Sequence, residues 1–284
     1  MKGEYWMLTK KDIQDQIIQA VETVKRTNPM AGSITNTVTI NLVANAQLAV
    51  GGSAAMVYLP DEGEFLAKAG GATYINVGTL LPIYEETLPH TAKVLHEAGK
   101  PWVLDPVAVG IGSLRTRLLQ FFKEYKPTII RGNASEVMAL AGLWGLDGGT
   151  RTSNARGVDS TDTVSAAKEA AVALARWTGG AVAVSGETDL ITDGSIIAYS
   201  YGGSRFMEKI TGAGCSLGGV IAVYATAASP FIAALTGTAV YNLAGSRAEK
   251  KADGPGSFQV HFLDELYRAT AQDIANNPFE IEEV

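Results

Sequence analysis

Four short apolar runs constrain this chain more than any other feature: "TYINVG" (73–78), "PWVLDPV" (101–107), "PTIIRGN" (127–133) and "AVAVSGE" (181–187). Each is close to continuous in apolar residues rather than alternating, the pattern of a strand buried on both faces. Between and beside them, residues 84–98, 112–125, 134–142 and 162–178 carry helical periodicity. Strands and helices that alternate in this way predict an α/β fold, a mostly parallel sheet flanked by helices on both faces. With 46% hydrophobic residues in 284, a core of that size can be filled. No repeat, low-complexity tract or linker interrupts the pattern, so residues 1–284 are read as one domain.

The four runs share a second property. Asn76-Val77-Gly78, Asp105-Pro106, Arg131-Gly132-Asn133 and Ser185-Gly186-Glu187 all fall at carboxyl ends of expected strands. In open α/β sheets, ligands bind at that edge.

Several classes of function are disfavoured. A net charge of −6 argues against nucleic acid as a partner. The single cysteine cannot form an intramolecular disulfide, and His90, His96 and His261 lack metal-ligand spacing, so no structural metal is expected. The first 27 residues read as an amphipathic helix with Ile13, Ile17, Ala20, Val21 and Val24 on one face, ended at Asn28-Pro29, and not as a signal peptide. Residues 220–241 are uncharged and long enough to span a bilayer, but they are rich in small residues and broken at Ser229-Pro230. Two buried helices are expected there, in a soluble, cytoplasmic protein.

The only cysteine, Cys215, stands in "KITGAGCSLGG" (209–219). Glycines 212 and 214 allow a tight turn, and the small and apolar residues after them begin a helix. The backbone N–H groups of Gly212, Ala213, Gly214 and Cys215 would then form an anion hole at a helix N-terminus. This is no phosphate-binding G-K-[ST] loop, and its late position excludes a dinucleotide fingerprint. Cys215 could be a nucleophile, a metal ligand, a general base or a buried filler. The helix dipole is expected to lower its pKa, yet no histidine is placed to serve a covalent mechanism.

Acidic residues fit better. Asp105 ends a strand, and Glu136 follows the "RGNASE" turn, where Asn133 and Glu136 also have capping-box spacing. A cap does not explain Arg131 at a buried strand end, which needs a carboxylate or an anion beside it. Two acids, an arginine and an anion hole point to metal-assisted phosphoryl transfer.

The chain also resembles the hydroxyethylthiazole kinases of thiamin salvage, members of the ribokinase-like superfamily. "GSITNTVTINLVANAQLAVGGSAAMVY", "INVGTL", "LDPVAVG", "IIRGNASE", "VSGETDLITDG", "ITGAGCSLG" and "ADGPGSFQV" occur in the family's order. The resemblance implies a ribokinase-like α/β fold that uses ATP and Mg²⁺ to phosphorylate the primary alcohol of 4-methyl-5-(2-hydroxyethyl)thiazole. It implies a homotrimer with active sites between subunits. Arg131 and Ser185 match nucleotide-contacting positions, the latter more often threonine in the family. Met56 and Gly212 match substrate-contacting positions, and Asn36 either lines the thiazole pocket or caps a turn. Asp105 and Glu136 match acids near the metal and phosphates. Cys215 stands where sugar kinases of the superfamily usually place an aspartate base, with Gly212, Ala213 and Gly214 forming the hole beside it. Two departures are that Ala108-Val109 replaces a common Gly-Ala, and that 145–163, read as a mobile flap or a helix cap near Asp159 and Ser160, diverges most.

Overall fold

A computed structural model of the chain describes residues 8–150 and 163–284. Nine strands form one sheet in the order β2-β1-β3-β4-β5-β6-β7-β8-β9. They are β1 (Met30–Ile34), β2 (Ser53–Met56), β3 (Ala72–Asn76), β4 (Trp102–Asp105), β5 (Ile129–Asn133), β6 (Ala181–Ser185), β7 (Asp189–Thr192), β8 (Ile196–Ser200) and β9 (Phe279–Glu283). β2 through β6 in that order pair in parallel, and β7, β8 and β9 add an antiparallel meander at one edge. The four runs singled out in the sequence are β3, β4, β5 and β6, adjacent strands of the parallel part.

Helices cover both faces, as expected for strands apolar on both sides. On one face pack α1 (Lys10–Thr27), α2 (Ile40–Ala49), α8 (Ala213–Ala225), α9 (Pro230–Glu249), α10 (Pro255–Arg268) and α11 (Ala271–Ala275). On the other pack α3 (Pro60–Ala69), α4 (Tyr84–Glu97), α5 (Ser113–Tyr125), α6 (Ala134–Trp144) and α7 (Lys168–Thr178). Period-two alternation fixes which strand side chains face α8. Tyr74, Val103, Ile129 and Ala183 join the core on the α8 side, while Ile75, Leu104, Ile130 and Val184 join the other. Two residues further along, the same alternation aims Asn76, Asp105, Arg131 and Ser185 at the α8 face.

The uncharged segment 220–241 is two helices, α8 and α9, with Pro230 at the first turn of α9, where its missing N–H is harmless. Among the described residues no helix is long and apolar enough to cross a membrane. Residues 216–225 of α8 are all buried, so it packs on every side. Gly218 and Gly219 permit this: a Cβ at 218 would overlap the Tyr74 ring, 2.9 Å from its Cζ, and one at 219 would lie 2.8 Å from Val43.

The structure adds elements with little sequence signal. β1, α2, β2 and α3 lie in a stretch without long apolar runs, and β7 and β8 are only four and five residues long. The helix expected from residue 162 begins at Lys168, after a turn. Gly145 ends α6 in the left-handed conformation (φ 67°), the usual task of a C-terminal glycine. Residues 151–162, and with them Asp159 and Ser160, lie outside the described residues.

One strained position sits at the sheet's functional edge. Ala108, in the turn after β4, has φ 60°. A left-handed residue with a Cβ costs about 1–2 kcal/mol, partly offset by the roughly 0.5–1 kcal/mol that glycine loses in chain entropy. Ala108→Gly should therefore stabilise the protein by about 0.5–1 kcal/mol, read as a higher denaturant midpoint at unchanged slope. An unchanged or lower midpoint would show that the turn carries no strain.

Candidate active site

The site is built where β3, β4, β5 and β6 end. Register places Asn76 beside Asp105, and Asn133 beside Ser185. Asp105 is fully buried. Its Oδ2 accepts from the Tyr74 hydroxyl at 2.8 Å and from Asn76 Nδ2 at 3.1 Å, with Arg131 Nη1 at 3.5 Å. Its Oδ1 is buried without a hydrogen-bond partner among the described residues, as is Arg131 Nε. Arg131 also donates from Nη2 to Ser185 Oγ at 2.9 Å. The contact between Asp105 and Arg131 is thus long and one-sided, and both groups retain hydrogen-bonding capacity aimed at something else.

The turn "ITGAGC" meets this cluster from the α8 side. Gly212 caps α8 with φ 95°, a conformation that favours glycine. A Cβ at Gly214 would lie 2.7 Å from Arg131 Nη1, so only glycine lets the guanidinium lie against the helix start. A cation at the positive end of a helix dipole is unfavourable unless both face a common anion. An anion placed between the guanidinium and the helix start would relieve this conflict.

Cys215 lies in the first turn of α8. Asn76 Nδ2 approaches its Sγ at 3.3 Å, and Asn36 Nδ2 at 3.6 Å. The two amides are joined, Asn36 Nδ2 donating to Asn76 Oδ1 at 3.0 Å. Asn36 Oδ1 accepts from the Thr39 N–H, the turn role open in the sequence, while its amide nitrogen reaches Asn76 and Cys215. The expected low thiol pKa is corrected here. Burial and the negative charge of Asp105 push Cys215 up to about 11, against Arg131, Thr39 and Asn36. Desolvation of the half-buried thiol and the carboxylate beside it, neither of them visible in the sequence, set this direction.

Glu136 reaches the site from the opposite face. It closes a capping box with Asn133, accepting from the Asn133 N–H at 2.9 Å while its own N–H donates to Asn133 Oδ1 at 2.9 Å. Its other oxygen accepts from the Ala108 N–H at 3.2 Å. The cap and the site are the same residue. Burial and the charge of Asp105 push its pKa up to about 7. Burial likewise raises Asp105, although Arg131, Tyr74 and Asn76 oppose the shift. Burial alone would lower Arg131, but Asp105 and Glu136 outweigh it and hold the guanidinium firmly charged.

Two buried carboxylates, both raised by desolvation and one with an unpartnered buried oxygen, fit a hard divalent cation. Magnesium is commonly held by one or two carboxylates plus waters and phosphates. Among the described residues no three His, Cys, Asp or Glu side chains are placed to hold a metal ion between them, so a closed protein cage is not what these acids form.

Of the residues singled out in the sequence, Asn36, Asp105, Arg131, Glu136, Ser185, Gly212, Ala213, Gly214 and Cys215 meet at this edge. Met56 does not join the network. It ends β2, the outermost strand, half-buried beside Ser33 of β1. Two residues were missed. Tyr74 hides in an apolar run, and only counting back two from Asn76 would have found it. Asn76 was read as part of a polar turn and not as the hub that touches Tyr74, Asp105, Asn36 and Cys215.

Residues 21–272 match the model of the hydroxyethylthiazole kinase family. A hydroxyethylthiazole kinase of Bifidobacterium adolescentis is 54% identical over 269 residues, covering 91% of this chain and 92% of the relative. The solved structure of a hydroxyethylthiazole kinase protein from Pyrococcus horikoshii superposes with a TM-score of 0.83 at 29% identity, covering 94% of this chain and 98% of that one. A ribokinase-like superfamily protein from Enterococcus faecalis shares the fold, with a TM-score of 0.62 at 15% identity over 93% and 96% of the chains.

Glu136 gives the site a pH signature. Its folded pKa of about 7 exceeds its ordinary 4.5, so between those values the folded chain holds a proton that the unfolded chain releases. The stability this provides is complete below pH 4.5 and is lost as the pH rises through 7. Without divalent cation, the melting temperature should therefore fall across this range, Glu136 accounting for on the order of 3 kcal/mol. Glu136→Gln should flatten the profile. A variant that kept the full wild-type slope would contradict this placement of the charge.

Proposed function

We propose a reaction on a plain premise: the chain belongs to the hydroxyethylthiazole kinase family. It is a kinase that transfers the γ-phosphoryl group of ATP to the primary alcohol of 4-methyl-5-(2-hydroxyethyl)thiazole, yielding the phosphate used in thiamin salvage. The observation that carries this reading is the meeting of Asp105, Arg131, Glu136 and Cys215 over the N-terminus of α8.

Each group has a task. Arg131 and the first N–H groups of α8 bind the phosphoryl oxygens and neutralise the charge they carry. Ser185, bonded to the same guanidinium, fixes its orientation on the nucleotide side. Asp105 and Glu136 would hold magnesium, which when bound offsets charge on the phosphates. Cys215 and its two amide neighbours orient the alcohol oxygen. With its pKa near 11 the thiol stays protonated at neutral pH, so it positions the alcohol rather than removing its proton beforehand. A loose transition state tolerates this, because positioning and charge neutralisation do most of the work. Gly212 and Met56 belong to the alcohol's side of the site.

The reading includes a cytoplasmic homotrimer with active sites shared between subunits. Its support is the position of Met56 on the edge strand β2, in a stretch of chain where Val38, Leu48 and Leu59 are exposed. A face of that kind matches a site completed by a second copy of the chain.

ADP release with Mg·ATP should depend on the thiazole alcohol and exceed that with a hydroxymethylpyrimidine. Turnover with the pyrimidine alone would overturn the substrate assignment. Cys215→Asp should keep or raise the rate, since Asn36 and Asn76 can donate to a carboxylate, which unlike the thiol is ionised at neutral pH and free to accept the alcohol's proton. Cys215→Ser should be slower than wild type. Complete loss in a folded Cys215→Asp variant would instead assign the thiol a steric or covalent role.

A further inference from the structure

Tyr74 is unexplained by packing alone. It lies in the middle of β3, fully buried, where leucine or valine would fill the space without a hydroxyl to satisfy. The hydroxyl is instead part of the site: it donates to Asp105 Oδ2 at 2.8 Å and accepts from Asn76 Nδ2 at 2.9 Å. The opposite helix is cut to receive it, since any side chain at Gly218 would overlap the ring. Ring and glycine are a matched pair across β3 and α8.

The consequence falls on Asp105. A carboxylate oxygen has two lone-pair directions. Tyr74 and Asn76 fill both on Oδ2, with Arg131 at the fringe, while Oδ1 remains without a partner. Without the tyrosine, the side chain could rotate to share its two oxygens between Asn76 and Arg131. With it, one oxygen is committed to the protein and the other is left over.

We propose that Tyr74, seated by Gly218, is a positioning residue for phosphoryl transfer: it commits Oδ2 of Asp105 to the protein and thereby reserves Oδ1 for the divalent cation. The inference rests on the reading of Asp105 as a cation ligand. Tyr74 touches neither nucleotide nor alcohol in this account, and acts through Asp105 and through Asn76, the neighbour of Cys215.

The test is equilibrium binding of a non-hydrolysable ATP analogue to the full chain, with and without magnesium chloride. In wild type, magnesium should tighten binding. In Tyr74→Phe, affinity without magnesium should be unchanged, while the gain from magnesium should shrink by about 10- to 100-fold, the usual effect of losing a group that orients a metal ligand. The Tyr74→Leu/Gly218→Ala double variant, which refills the space without a hydroxyl, should show the same loss and melt above Tyr74→Leu alone. A wild-type magnesium gain in Tyr74→Phe would overturn the role of Tyr74 and leave the cation reading intact. Equal losses with and without magnesium would also overturn it, making Tyr74 a packing residue. Recovery of the gain in the double variant would show that volume and not the hydroxyl matters. No magnesium gain in wild type would overturn the cation reading of Asp105 and this inference with it.

Discussion

The buried contact between Asp105 and Arg131 is what the rest of the structure is arranged around. Removing both charges from water is expensive, and a single approach at 3.5 Å repays little of that expense. Further groups make the arrangement tolerable. Tyr74 and Asn76 donate to the carboxylate, Ser185 accepts from the guanidinium, and Gly214 gives up its side chain so that the guanidinium fits. A hydrophobic pair of the same volume would stabilise such a core at least as well. The unpartnered Oδ1 and Nε point to charge kept for a ligand and not for the fold.

The two faces of the sheet divide the work. The α8 face supplies a helix N-terminus, Cys215 and the side chains that strand alternation aims at them. The opposite face supplies Glu136, whose capping bonds to Asn133 and the Ala108 turn bring a helix residue over the strand ends. The second acid is thus fixed by the start of α6 itself. Both acids sit on backbone that folding has already ordered, so little motion is needed to assemble the charged half of the site.

Much of this was legible in the sequence, for definite reasons. Strands buried on both faces leave continuous apolar runs, so β3 to β6 stood out, and their polar termini marked the edge where the charged cluster forms. The break at Ser229-Pro230 and the spacing of Asn133 and Glu136 are local rules that tertiary context left in force. The antiparallel strands β7 and β8 are short and β9 comes from the far end of the chain, so local patterning did not reveal the meander. Tyr74 reads as one more apolar residue because a strand's two faces are distinguished only once its neighbours are known. Cys215 was misjudged electrostatically: the helix dipole is visible in the sequence, but the burial and the Asp105 charge that outweigh it are products of the fold. Asn36 and Met56 drew their assignments from resemblance, and only Asn36 enters the network.

The central claim is that the edge formed by Asp105, Arg131, Glu136 and Cys215 is where phosphoryl transfer takes place. A crystal structure with magnesium, ADP and the thiazole alcohol bound tests it most directly. The account predicts the terminal phosphate of ADP facing Arg131 and the first N–H groups of α8, with the cation on Asp105 and Glu136 and the alcohol oxygen beside Cys215. A nucleotide bound away from Arg131, or a cation held by neither acid, would contradict it.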